Sequence, residues 1–240
     1  MTTFEYLLVL VSIIVGLGIA HILSGVGRII SHPSRQRVYW VHLLWVAWAF
    51  GWLILFWWAE FQRSMTETWT PSAYLFLIIF AVVLYLFCVI LLPRETPDGA
   101  DYRQYYYSRR RWIFGLFIGV MLMNMIENMT LSDPMQSPTF QPVQYLAVVC
   151  GPALIAAIST KERFHAALGL VWLWATLREL LWGGFGPQAV DGIDPNQPMW
   201  STVVEGVLSA ILLVATLSVF LRPLDSLLRR LESRVLKRHA

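Results

Sequence analysis

Seven stretches of roughly 20 predominantly apolar residues, joined by short polar connections, constrain this chain more than any other feature. They run Phe4–Ile30, Tyr39–Phe61, Pro71–Leu92, Trp112–Leu131, Phe140–Ser159, Arg163–Trp182 and Met199–Leu221. A helix rising 1.5 Å per residue crosses a hydrocarbon layer about 30 Å thick in that length. Lipid offers no partner to a backbone N–H or C=O, so runs of this kind read as helices whose polar groups are satisfied internally. The expected fold is all-α: a polytopic membrane bundle of about seven transmembrane helices over residues 1–222, followed by a basic amphipathic tail, 223–240.

Composition agrees. Hydrophobic residues make up 57% of the 240 and charged residues only 14%, where a soluble domain carries about a quarter charged. Seven helices with short loops use nearly the whole chain, so no separate soluble catalytic domain is expected. The two cysteines, Cys88 and Cys150, fall inside apolar runs and read as packing residues rather than a disulfide. The first run has no basic segment before it and is followed by Arg28, Arg35 and Arg37, which fits a retained helix better than a cleaved leader.

Orientation follows from the basic residues. Of the 18 lysines and arginines, all but Arg63 and Arg178 fall in the same set of alternate connections and in the tail. By the positive-inside rule that face is cytoplasmic, the N-terminus outside and the C-terminus inside, as in a bacterial-type inner membrane. Acids such as Glu60, Glu127, Glu179 and Glu205 map to the opposite, outer half. Tyr102, Tyr105, Tyr106 and Trp112 alternate with Arg103, Arg109, Arg110 and Arg111, a mixture expected to lie in the inner headgroup layer. The tail presents Leu227, Leu228, Leu231 and Val235 on one face among arginines, as a helix on an anionic inner leaflet would.

Polar residues inside spans are the functional candidates, because they must face protein or water. On the first helix a row of small residues, Gly16, Ala20, Ser24 and Gly27, is expected to be the packing spine of the bundle. Beside it run Gly18, His21, Gly25 and Arg28. His21, His42 and His165 all lie toward the cytoplasmic face, where two of them could serve as axial ligands to a b-type haem, although no diagnostic spacing accompanies them. The outer cluster is richer: Asn124, Glu127 and Asn128 on one face of the fourth helix, Arg178 and Glu179 adjacent on the sixth, and Glu205 and Ser209 on the seventh. Its plainer reading is a closed interhelical network with Arg178 neutralising a carboxylate. Its functional reading is an acidic, water-filled vestibule.

Absences narrow the field. Both lysines, Lys161 and Lys237, are cytoplasmic, so no retinal Schiff base is expected. There is no P-loop, HExxH, GxSxG or zinc spacing, and the basic clusters flank membrane rather than nucleic acid. No metal centre and no resident cofactor are expected outside the haem alternative. The leading expectation is a transporter or channel for protons or small cations, running from the acidic outer cluster to His21 as an inner titratable gate. The alternatives are a haem-binding redox subunit and a non-transporting assembly or sensor subunit, homo-oligomeric or docked on a partner through its small-residue rows.

Overall fold

The computed structural model describes residues 3–31, 36–63, 70–93, 100–130 and 142–184. Its elements are α1 (Thr3–Ser31), α2 (Trp40–Arg63), α3 (Pro71–Leu91), α4 (Tyr102–Thr130), α5 (Pro142–Tyr145), a π-helical turn (Leu146–Cys150), α6 (Gly151–Ile158), α7 (Glu162–Arg178) and a second π-helical turn (Glu179–Gly184). A two-residue parallel bridge, Gln36–Arg37 against Ala100–Asp101, is the sole non-helical pairing among the described residues. Four helices, α1 to α4, are long and apolar enough to cross a membrane. The seventh apolar run, Glu205, Ser209 and the basic tail lie outside the described residues.

The bundle is apolar on its outside as well as within. Leu10, Ile13 and Leu17 of α1, Leu75, Ile79 and Leu86 of α3, and Leu154 and Ile158 of α6 all face outward. Water would penalise such a surface. For an integral membrane protein it is the side that meets lipid.

Tryptophan-rich α2 is the hub, touching α1, α3, α4 and α7. Trp45, Trp48, Phe87, Phe114 and Phe117 are fully buried around it. Trp45 meets Phe114 edge-on at 5.1 Å between ring centres, and Trp48 meets Phe87 the same way at 5.4 Å. These are the offset and T-shaped arrangements that ring quadrupoles favour.

Two of the structure's features depart from expectation. The fourth helix starts ten residues earlier than its apolar run, because Tyr102 and Tyr106 are buried against the neighbouring helices. Tyr106 is bonded to His165, Tyr105 to the end of α3, and Tyr107 to Tyr39. Each ring buries apolar area and its hydroxyl finds a partner. The second departure is in α1, where Gly16, Ala20, Ser24 and Gly27 face away from the other described helices. The inward row is the other one. Gly18 abuts Leu53 and Cys88, and Gly25 abuts Leu92.

The fifth and sixth apolar runs fold as helical rods over 142–158 and 162–184, hinged at Ser159–Lys161. Pro152 explains the π turn in the first rod. A proline ring clashes with the carbonyl four residues back and lacks an N–H, and the Gly151 N–H reaches to Leu146 O to widen that turn.

Candidate functional site

Three helical faces converge at the end of the bundle where α2 and α4 finish. Trp52, Phe56 and Ala59 lie on one side of α2, Asn124, Glu127 and Asn128 on one side of α4, and Trp172 and Thr176 on one side of α7, with Glu179 following at the start of the second π turn. All of them line a cavity of about 550 Å³. Their spacings of three, four and seven residues are what a helix needs to aim side chains at one target. Phe80 of α3 and Tyr145 of α5 complete the wall.

Glu127 is 2% exposed and Thr176 likewise. The Tyr145 hydroxyl stands 3.1 Å from both Asn124 Oδ1 and Met121 O, and Asn128 Nδ2 donates to Asn124 O at 2.8 Å. These bonds fix the two amides and tie α4 to α5. Arg178 pairs with its own neighbour Glu179 at 3.4 Å, both side chains being about half exposed. Among the described residues the lining therefore carries two carboxylates against one guanidinium. Among the described residues Thr176 Oγ1 and Trp52 Nε1 are buried with no hydrogen-bond partner, and such groups in a native interior call for an explanation. Both π turns border this cavity, one beginning after Tyr145 and the other at Glu179. Wide turns of this kind recur at functional sites.

The opposite end of the bundle holds the histidines, in a role the spacing did not reveal. A helix leaves its last carbonyls without intrahelical donors, and α3 ends inside the protein. Four successive carbonyls there each receive a side-chain donor. Tyr105 Oη donates to Ile90 O at 2.7 Å, His42 Nε2 to Leu91 O at 2.7 Å, His21 Nε2 to Leu92 O at 2.6 Å and Arg28 Nη2 to Pro93 O at 2.9 Å. A carbonyl only accepts, so both imidazoles carry the proton on Nε2. His165 does the same for α6: its Nε2 donates to Ser159 O at 3.0 Å while Nδ1 accepts from Tyr106 Oη at 2.9 Å. A bis-histidine haem would need two of these rings to leave their carbonyls and face one another. Among the described residues no three His, Cys, Asp or Glu side chains converge as a metal site requires.

The two polar ends are far apart. Sixteen residues of α2 separate His42 from Trp58, about 24 Å at helical rise. Between them lies the aromatic core of Trp45, Trp48, Phe87, Phe114 and Phe117, which carries no titratable group.

Five sequence candidates thus come together in one cavity: Asn124, Glu127, Asn128, Arg178 and Glu179. His21, His42 and His165 stand at the other end, and Glu205 and Ser209 fall outside the described residues. Trp52, Trp58, Trp172, Tyr145 and Thr176 are cavity residues that the sequence did not single out. The signal available was register, since Trp52, Phe56 and Ala59 share a face of α2 close to its acidic end. No family model, curated protein or solved structure matches the chain.

Proposed function

We propose that this protein is a transporter of protons or small cations, built from seven spanning helices in a bacterial-type inner membrane. Its N-terminus lies outside, and the acidic cavity is the entry and binding site. One observation carries the reading: a buried carboxylate, Glu127, stands in the wall of a cavity of about 550 Å³ whose rim carries an exposed, paired arginine and glutamate. An ionisable group within a span is costly unless it has work to do. The aromatic core beneath the cavity favours a carrier over an open pore, with the site reached from one side at a time. In this scheme the histidine and arginine donors on Leu91, Leu92 and Pro93 are the inner latch, and His21 keeps its place as the inner gate by holding the end of α3 closed.

Reconstituted into liposomes, the wild-type protein is expected to support cation- or proton-dependent flux. Glu127→Gln, nearly isosteric, is expected to reduce that flux at least tenfold while leaving a monodisperse protein. Wild-type liposomes with no flux at any pH or imposed potential would end the proposal.

A second reading has its own observation. The outward row Gly16, Ala20, Ser24 and Gly27 is a surface on which another helix could approach closely, as an assembly subunit would require. It predicts co-purification with a fixed membrane partner and indifference of the complex to Glu127→Gln.

A further inference from the structure

We infer that the outward stripe of α7 is the seat of the chain's own seventh apolar run, Met199–Leu221, packed antiparallel to it with the Glu205 carboxylate against the Arg178 guanidinium. The inference rests on the reading of that run as a spanning helix whose C-terminal end lies inside. It does not depend on transport.

Leu170, Trp174, Leu177, Arg178 and Leu181 follow at helical spacing along one face of α7 and of the π turn that continues it. α7 packs on α2 and only lightly on α6, so this flank is open among the described residues. The three leucines are exposed, Arg178 keeps 45% of its side-chain surface, and Trp174 Nε1 is buried with no hydrogen-bond partner among the described residues. Leucines alone would suit lipid. A guanidinium would not, because ionisable groups within spans face protein or water. Its neighbour Glu179, 3.4 Å away, is itself half exposed, so the pair lies on the open flank as a unit.

The seventh run has the complementary chemistry. At 100° per residue, Thr202, Glu205, Ser209 and Thr216 fall within an arc of about 60°, and a polar face on an otherwise apolar helix has to be covered by protein. Of the lysines and arginines within the seven apolar runs, Arg178 alone lies away from the inner end. The levels also agree. Arg178 comes seventeen residues after the inner-face Lys161 and Glu205 seventeen before the inner-face Arg222, about 25 Å along each helix. The same antiparallel register sets Thr202 level with Leu181, Leu213 level with Leu170, and Ser209 level with Trp174, where its hydroxyl can accept from the indole N–H. The outward small-residue row of α1 has no cation in its outer half to offer Glu205.

The test is oxidative cross-linking of the full-length protein in its membrane, with Cys88 and Cys150 replaced by alanine and cysteines introduced in pairs. A disulfide needs Cα atoms within roughly 7 Å. Leu181→Cys with Thr202→Cys, and Leu170→Cys with Leu213→Cys, are expected to join within one chain. Both should form at least tenfold faster than Leu181→Cys with Leu213→Cys, whose levels differ by about 16 Å. The ion pair is read in the otherwise wild-type chain, which guards against a folding defect in the cysteine-free background. Arg178→Glu and Glu205→Arg are each expected to lower the thermal midpoint, and the double exchange to recover most of the loss. Cross-links that form only between two chains would assign the face to a second copy and overturn the inference. Labelling of Leu177→Cys by a lipid-phase maleimide, with no cross-link, would assign it to lipid and overturn it equally. So would losses that simply add in the double exchange. An Arg238→Cys tail labelled from outside intact cells removes the seven-helix reading and the inference together, whereas a tail labelled only from inside, with neither cross-link nor rescue, removes the inference alone. Flux in liposomes without the cross-link leaves transport standing, and the cross-link without flux leaves the seat.

Discussion

Two glycines two residues apart on α1 have opposite surroundings. A β-carbon at Gly25 would lie 2.8 Å from Leu92 Cδ1 and 3.1 Å from Leu92 Cβ, whereas at Gly27 nothing among the described residues comes within 4 Å. Leu92 cannot step aside cheaply, because its carbonyl is held by His21. Gly25→Ala is therefore expected to destabilise the purified protein by about 1–3 kcal/mol, the usual range for overpacking. Gly27→Ala should leave the thermal midpoint unchanged or slightly higher. Equal midpoints for the two variants would contradict the assignment of inward and outward rows. The histidine caps predict at the same scale. His42→Leu strips the donor from the buried Leu91 carbonyl and should cost about 1–3 kcal/mol. His42→Gln, which retains an N–H at similar reach, should recover part of that loss in the same melt. The residues of the cap were readable in the sequence as an inner histidine layer. Their partners were not, because an acceptor carbonyl leaves no trace in residue identity, and Leu91, Leu92 and Pro93 carry nothing that marks them as acceptors.

At the scale of the element, the apolar runs located the helices well and their polar ends poorly. α3 matches its run almost residue for residue, capped by Thr70, whose hydroxyl accepts from the Ala73 N–H at 3.3 Å. α4 does not, since hydropathy counts Tyr102 to Arg111 as polar and misses that its tyrosines turn inward. The Tyr106–His165 bond joins α4 to the α6–α7 hinge, and Arg103 adds an ion pair to Glu162 at 2.8 Å. Tyr106→Phe should therefore loosen that hinge, read as faster amide exchange over residues 159–165 with little change in α3. The exposed Arg103–Glu162 pair should matter far less, as surface ion pairs generally do. The π turn before Pro152 could have been suspected from the proline. The one starting at Glu179 carries no comparable residue, and its position against the cavity became legible only with the helices assembled. Gly51 shows the same limit: it allows α7 to lie close, with Thr176 Cγ2 2.8 Å from where its β-carbon would be.

Across the whole molecule, the sequence separated two polar populations by depth, and the described bundle keeps them apart. What it could not supply was how the acids sit relative to one another. Arg178 pairs with its neighbour Glu179, where the helix widens, a pairing that residue identity alone did not single out from the other acids. The tryptophans illustrate the converse: their abundance in α2 was plain, but a tryptophan that plugs the core and one that lines a cavity have the same hydropathy. Trp48 and Trp52 stack on each other, 5.4 Å apart, one belonging to each role.

If the proposed transport holds, the buried aromatic layer has an electrical consequence. Water-accessible polar ends conduct the membrane potential inward, so the voltage falls mainly across the insulating stretch between them. On the proposed transport reading that stretch is the thickness of the packed rings of Trp45, Trp48, Phe87, Phe114 and Phe117. A charge carried past them would cross nearly the full potential in a short step, worth about 2.3 kcal/mol per elementary charge at 100 mV. Under that proposal, uncompensated cation turnover is expected to register as a voltage-dependent current in a proteoliposome recording.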